Sequence, residues 1–510
     1  MAGKVLEVGY AAFPSVKLYK VVTNPETGEK TLKFKNELIY GDRIVPSILK
    51  STGDYSRVEV GGKQYIRVTS RRSYGVILES QLLPDPVLEV NFIDVGQGDG
   101  CHIVTPDDKH FIIDAGEEKN MFRFLRWRFN LKDAKTAPPD MTVVISHSDT
   151  DHYLGFNEVF PNHEGLAQQL TFDKIYHNGM VEASGTNPTS LGTILDLAKK
   201  GYDYNKYVTD LCDTQEDYEA RVKSLKGRKS GGIGKYIQAL ELAPGAPKIA
   251  LRKGSAPIYD DCGVKIEVMG PVAEQIDGKD ALPYFGSTGE TKNGHSVILK
   301  LTMGHLKILL GGDLNTKSEY YLIKKYTGID IKAIRAELKK KKLSAEKRAA
   351  LEAQLEEAIV KAREFLQVDI AKSCHHGSSD FSTEFLRVLN PIATVISSGD
   401  DEPYAHPRPD TLGTIGKYSR GERSLIFSTE LARSGQEFLD LSTRKETDST
   451  LERVVTVYGM INVRTDGKKA IIAQKLEKVV GSTKWDIHKL EWNPEKKEFE
   501  YIKDTSKEED

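Results

Sequence analysis

The stretch ISHSDTDH at residues 145–152 places His147, Asp149, Asp151 and His152 within six positions at the end of the apolar run VVIS. Two imidazoles and two carboxylates this close repel, titrate and resist burial, and a bound cation is their commonest compensation. By themselves the letters also fit a surface turn or a helix cap, because Ser, Asp and Thr favour both. Further donors of the same types argue for the ion: Asp313 in KILLGGDL, His375 and His376 in IAKSCHHGSS, and His406 in YAHPRP. The first two groups are each delivered by an apolar strand at its C-terminal end, where open α/β sheets gather their active sites.

The segments around these residues predict a layered α/β domain. LEVNFIDVG, HIVTP, HFIIDAG and MTVVIS read as apolar strands whose ends carry Asp94, Asp99 and Asp114, with MFRFLRWRF as a helix between them. The GxG of DVGQGDG lacks the third glycine of a dinucleotide site and reads as a strand-end turn that brings Asp99 toward the other acids. HSVILKLTMGHLKILLGGDL reads as a hairpin turning at MG, and VDIAKSC, ATVISSG, SLIFST and VYGMINVRTDGKKAIIAQKL supply later strands. Two stretches interrupt this order and are expected to be insertions. Residues 155–285 are irregular, and residues 316–366 contain a helical hairpin with Ser344 as N-cap of its second arm. Ahead of Val87, short alternating segments such as YSRVEV, KQYIRV and YGVILE, separated by GD, STGD and GGK, predict a small all-β barrel. The expected partition is 1–86, 87–495 and a polar tail over 496–510.

Composition narrows the setting. The chain has 510 residues, 39% hydrophobic and 29% charged, as soluble globular proteins do. The N-terminus has no apolar stretch behind a basic one, and no uncharged run is long enough to span a bilayer, so a cytoplasmic protein with no membrane partner is expected. Four scattered cysteines without CxxC spacing fit a reducing compartment and exclude a cysteine metal site. A formal charge of −2 offers no global attraction for nucleic acid, so any polyanion site must be a local patch. RVKSLKGRKSGGIGK is one such patch: Lys226, Arg228, Lys229 and Lys235 stand among glycines whose free N–H groups can cradle phosphates. Its alternative is a basic surface loop, and it is not a P-loop, because Lys229 occupies a required glycine position and Tyr236 follows GK.

In order along the chain, VNFIDVGQGDGCHIVTPDDKHFIIDAG, VVISHSDTDHYLGF, NGHSVILKL with ILLGGDL, DIAKSCHHGSSDFSTEFLRVLNP and VISSGDDEPYAHP resemble the metallo-β-lactamase-fold domain of the ComEC/Rec2 competence family. The barrel region, LIYGDRIVPSILKSTGDYSRVEVGGKQYIRVTSRRSYGVILESQLL, resembles bacterial SH3-like domains. The first resemblance implies an αββα sandwich with two metals at the strand ends. By it, His147 and Asp149 would hold one ion, Asp151 and His152 the second, and Asp313 would bridge them. His375 or His376 would add a ligand, and Asp114 would orient the histidines. The wider superfamily has a further histidine before the bridging aspartate. His295 is the nearest imidazole, off the usual spacing, with a neutral role at a strand start as its alternative; His177 is a weaker candidate.

Most of that superfamily has His where Asp149 stands. A hard anionic oxygen in place of a nitrogen donor shifts the preference from Zn²⁺ toward Mn²⁺ or Mg²⁺, so manganese is expected first and zinc second. Two such ions about 3.5–4 Å apart would hold a hydroxide for attack on a phosphodiester. Asp151 is expected as ligand and proton acceptor, His406 as donor to the leaving oxygen with Ser378 assisting, and Asp94 and Asp99 as structural or catalytic. The expected activity is therefore that of a nuclease on DNA, without the membrane channel of competence proteins, and with a possible protein partner for the SH3-like part. Two alternatives stand beside it: a hydrolase of a small phosphodiester, cyclic nucleotide, ester or lactone, and a partner-binding module with a residual metal site.

Overall fold

The computed structural model describes residues 5–71, 73–185, 188–198, 202–227, 232–399, 404–429 and 460–503. Two sheets form the body of this mixed α/β protein. The longer has ten strands in the spatial order Lys248–Ala250, Phe172–His177, Met141–Val144, His110–Ala115, Gly100–Val104, Leu88–Phe92, Ile461–Thr465, Lys469–Val480, Thr483–Asn493 and Glu498–Ile502. The other has seven: Tyr259–Asp261, Val264–Gly270, Ile298–Met303, Leu306–Leu310, Ile370–Lys372, Ala393–Ile396 and Leu425–Ser428.

Each sheet has an antiparallel part and a parallel part. In the long sheet the run from His110–Ala115 to Lys248–Ala250 is parallel. In the facing sheet it is the run from Leu306–Leu310 to Leu425–Ser428. Parallel strands are covered on both faces, and accordingly HFIIDA and ATVI are buried at every position. One apolar core lies between the sheets, joining Val90, Phe92, Ile103 and Ile113 of the long sheet to Ile266, Leu299, Ile308 and Val395 of the facing one. Burying a side chain of this kind stabilises the fold by about 1.5–3 kcal/mol, which outweighs any local propensity in these strands.

Helices cover the outer faces. Met121, Phe124 and Leu125 of Asn120–Arg128, with Ile237 and Leu240 of Lys235–Glu241, pack on the long sheet against Val143 and Ile175. Leu355, Ala358, Ile359, Ala362 and Leu366 line one stripe of Ala345–Leu366 and pack over the facing sheet beside Leu309 and Ala371. Ser344 caps that helix by accepting the Lys347 N–H at 3.2 Å.

The stretch expected to be an insertion over 155–285 is core in part. Phe172–His177, Lys248–Ala250 and Val264–Gly270 are strands of the two main sheets, while Ile194–Asp196, Lys206–Val208, Glu274–Ile276 and Lys279–Pro283 form a separate small sheet. Short, polar-interrupted strands hide in sequence, and FDKIYH buries only its fourth and sixth residues. At the other end, Glu498–Ile502 adds a strand beyond residue 495, within the region read as a polar tail.

The N-terminal strands, from Gly9–Ala11 to Leu82–Leu83, make an eight-stranded antiparallel sheet with its own core around Val16, Leu18, Leu38, Ile44, Ile66 and Ile77. It docks on the long sheet through Trp485. That indole packs with Ile39, Tyr40, Val87 and Ile471, donates to the Glu37 carbonyl at 3.2 Å and is 3% exposed. No helix among the described residues is long and apolar enough to cross a membrane. Trp485→Ala is expected to cost about 3–5 kcal/mol, the range for truncating a buried aromatic. A denaturant melt reads it, and a loss below about 0.5 kcal/mol, the surface level, would contradict this docking.

Candidate metal centre

The parallel parts of the two sheets end on the same side of the molecule, and their C-terminal ends carry the polar cluster. Asp114, at the end of His110–Ala115, adopts φ +56° and is 1% exposed. Its Oδ1 accepts the Ser146 N–H at 2.7 Å, and its Oδ2 accepts the Ser146 hydroxyl at 2.6 Å and lies 2.8 Å from His152 Nδ1. This ties the chain leaving the neighbouring strand to the carboxylate and fixes the His152 tautomer, with Nδ1–H toward Asp114 and Nε2 facing inward. His147 has its Nδ1 between the Ser146 hydroxyl at 3.0 Å and the Ser296 hydroxyl at 3.3 Å.

From the facing sheet, the loop after Leu306–Leu310 brings Asp313, whose N–H donates to Ser296 Oγ at 3.0 Å. Beyond Ile370–Lys372 the backbone turns through three successive left-handed residues: His375 at φ +50°, His376 at +53° and Gly377 at +78°. A non-glycine residue in that region costs about 1–2 kcal/mol, and such strain gathers at functional sites. The turn is pinned by the His375 N–H on the Gly312 carbonyl at 3.2 Å, and it points His376 inward with Nδ1 at 3.0 Å from the Ser397 carbonyl.

The consequence is a set of aimed, unsatisfied donors. Nε2 of His147, His152 and His376 and Oδ1 of Asp313 are buried without a hydrogen-bond partner, a condition that folded proteins avoid unless something else binds there. His152 Nε2 lies 3.3 Å from Asp313 Oδ1, and His376 Nε2 lies 3.2 Å from Asp313 Oδ2 and 3.4 Å from Asp151 Oδ2. Asp151, His152, Asp313 and His376 thus offer four ligand atoms all within 4.8 Å of one another. Metal–ligand bonds of about 2.0–2.2 Å suit this spacing, so the residues fit a divalent ion.

The charges around the set are balanced internally. Burial pulls the His152 and His376 imidazoles down, but Asp313, with Asp114 and Asp151 around one ring and Asp99 around the other, outweighs it and holds both well above the ordinary imidazole range. Burial pushes the Asp151 carboxyl up, and His152 and His376 reverse this and hold it well below the usual range. No family model matches the chain, and none of the curated proteins does.

The other predicted residues fall around this centre. Asp149 stands beside it, with Oδ2 at 3.6 Å from His147 Nε2 and Oδ1 at 2.5 Å from the Lys292 ammonium. Burial would raise its carboxyl, and His147 and Lys292 bring it down to about 2. His375 Nε2 is 4.0 Å from Asp313 Oδ2, and its ring stands 5.9 Å from His406, half-buried at the rim. Ser378 follows the left-handed turn, its hydroxyl accepting the Asp380 N–H at 3.2 Å. Asp94 accepts the Gly96 N–H at 3.2 Å and serves the turn.

His295 is directed elsewhere: its Nε2 lies 2.8 Å from the Pro283 carbonyl, its ring stacks on Phe285, and burial lowers it to about 4. His177 accepts the Gly179 N–H through Nδ1, and burial lowers it to about 3. Of the basic patch, Lys226 ends the helix Gln215–Lys226 and Lys235 opens Lys235–Glu241, both exposed. The latter helix packs Tyr236 against Tyr153, next to His152. Arg228 and Lys229 lie outside the described residues.

One participant escaped sequence reasoning. Lys372, 4% exposed, forms an ion pair with Asp99, lies 3.8 Å from Asp313 and donates to the Gly312 carbonyl at 3.1 Å. Its signal was a single lysine inside the apolar strand DIAKSC. Burial pushes Asp99 up, but Lys372 and then His376 hold it below its ordinary value. Gly98 belongs to the GxG read as a strand-end turn: an added Cβ would fall 1.6 Å from the Asp151 carbonyl oxygen, so only glycine lets the 94–99 turn lie under the ligands.

Two outcomes follow. Ligation requires His152 and His376 to lose protons that the metal-free protein holds, so manganese affinity falls as pH is lowered from 8 to 6, about tenfold per unit for each proton displaced. In the metal-free protein the same contacts stabilise fully below about pH 6.5, and that contribution is lost as pH rises through the raised folded values. Calorimetric titrations across this range giving one constant affinity would contradict the cluster. Lys372→Met leaves Asp99 buried without its cation and is expected to cost about 3–5 kcal/mol in a chemical melt; an unchanged midpoint would refute the pairing.

Proposed function

We propose that this chain is a metal-dependent phosphodiesterase of nuclease type, similar to the metallo-β-lactamase-fold domain of the ComEC/Rec2 family and carrying an SH3-like module. The observation that carries the reading is the convergence of two buried, unsatisfied imidazole Nε2 atoms, of His152 and His376, on Asp313, with the unsatisfied Nε2 of His147 on a ring 4.1 Å from that of His152. The two facing sheets with helices outside, and the gathering of donors at strand ends, support the same family.

In this reading Asp151, His152, Asp313 and His376 hold one divalent ion, and the His147–Asp149 pair with His375 offers ligands for a second. Manganese is preferred over zinc or magnesium. A bound ion supplies Lewis acidity at phosphorus and lowers the pKa of water. The chain's own residues do the rest. Asp114 keeps His152 in its ligating tautomer, and Lys372 keeps Asp99 ionised behind His376. His406, on the rim 6.4 Å from the His376 ring, protonates the leaving oxygen, with Ser378 assisting. Lys226 and Lys235, with the adjoining Arg228 and Lys229, hold the phosphate backbone of DNA. Protein partners engage the SH3-like module, and the enzyme works in the cytoplasm.

The test is incubation of full-length protein with linear, circular and single-stranded DNA and with bis-p-nitrophenyl phosphate, under Mn²⁺ or Zn²⁺. DNA cleavage by the wild type, abolished in Asp151→Ala and reduced about 10²-fold or more in His406→Ala, is expected. Cleavage of the small ester alone would overturn the nuclease reading, activity restored only by zinc would overturn the metal preference, and no cleavage of any substrate would overturn the enzyme.

A further inference from the structure

A second polar site lies at the opposite end of the same strands. A cavity of about 740 Å³ opens between the N-terminal sheet and the long sheet, and its wall includes Arg43, Arg71, Arg128 and Arg464. His110 opens the strand that carries Asp114 near its other end, and Asp108 of the cavity wall lies just before it. At about 3.3 Å per residue, the cavity and the metal cluster are about 20 Å apart along that strand. The volume is in the range of about 300–1,000 Å³ common for small-molecule sites.

The charges of this wall do not close on themselves. Glu89, 6% exposed, takes Arg128 in a bidentate pair at 2.8 and 3.0 Å and also pairs with Arg464. Burial raises its carboxyl, but Arg128 and then Arg464 hold it well below the usual range, so it is ionised. Asp42 pairs with Arg71 at 2.6 Å and stands 4.0 Å from Arg464. Three guanidinium groups therefore share two buried carboxylates. Asp108 faces His110 at 3.1 Å on the exposed rim, and Arg43 makes no ion pair among the described residues. Arg464 is 2% exposed, and its Nε–H is buried without an acceptor. A guanidinium has five donors in a planar fork suited to phosphate oxygens, and a buried donor without an acceptor is costly. The cavity is much larger than a phosphate, and Tyr10 and Trp127 line it beside the arginines.

We propose that this junction cavity binds an organic phosphate of nucleotide size, with its phosphate on the Arg43, Arg71 and Arg464 guanidinium groups and its ring system against the aromatic wall. Such a ligand joins the N-terminal sheet, through Arg43 and Arg71, to the last strands of the long sheet, through Arg464. The phosphate can come from a free nucleotide or from the end of a nucleic acid strand, and both present the same oxygens.

Calorimetric titration of the full chain in EDTA, which empties the metal cluster, tests this with AMP, inorganic phosphate, adenosine and a 5′-phosphorylated hexanucleotide. AMP is expected to bind one to one, phosphate to compete with it, and adenosine to bind at least tenfold more weakly. Arg43→Gln, which breaks no ion pair, and Arg71→Lys, which keeps the charge beside Asp42 but removes the fork, are each expected to weaken AMP at least tenfold. Asp313→Asn is expected to leave AMP affinity unchanged, so this result stands or falls independently of hydrolytic activity. Hexanucleotide binding that the same arginine variants weaken supports the site with a strand end as its source. No binding of AMP, phosphate or hexanucleotide at millimolar concentration, adenosine binding equal to AMP, or AMP affinity unchanged in both arginine variants would overturn it.

Discussion

The Asp114 carboxylate is the fixed point of the centre. It accepts the Ser146 amide and hydroxyl and orients His152, and it does so from a left-handed backbone that an unsupported aspartate would avoid. Three hydrogen bonds to one buried anion give that strain its support. They also fix how the chain leaves Met141–Val144, and so where His147, Asp151 and His152 can be. The donors from the other sheet are registered against this arrangement through Ser296, which touches both Asp313 and His147. The order of construction is thus a buried anion, two strand ends, then ligands.

Much of this was legible because the chemistry of the site and the burial of strands leave marks in sequence. Asp114, His147, Asp151, His152, Asp313 and His376 all follow apolar runs, and a polar residue at that place has few structural uses. The split between His375 and His376 was not legible, because two adjacent imidazoles diverge only through left-handed backbone that no side-chain pattern announces. Asp149 likewise looked equivalent to its neighbours, but its carboxylate is shared with Lys292, a contact that depends on tertiary placement. Lys372 was missed because a lone lysine in a strand reads as an exposed face, whereas here both faces are covered.

The domain outline was readable where alternation was strong and unreadable where strands were short. Arg57–Val60 buries alternate residues and stands out as a strand. Lys248–Ala250 has three residues, too few for a period, yet it extends the parallel part of the long sheet. Its identity comes from the strand it pairs with, and long-range pairing carries no local signature.

The ligand set draws Asp151 and His152 from the long sheet and Asp313 and His376 from the facing one, segments far apart along the chain. An ion held there is a rivet through the interface of the two halves. Either half alone presents at most two of the four ligands, and an incomplete chelate holds a metal poorly. Loading would therefore report on assembly: the four donors come together only after both sheets have met in register.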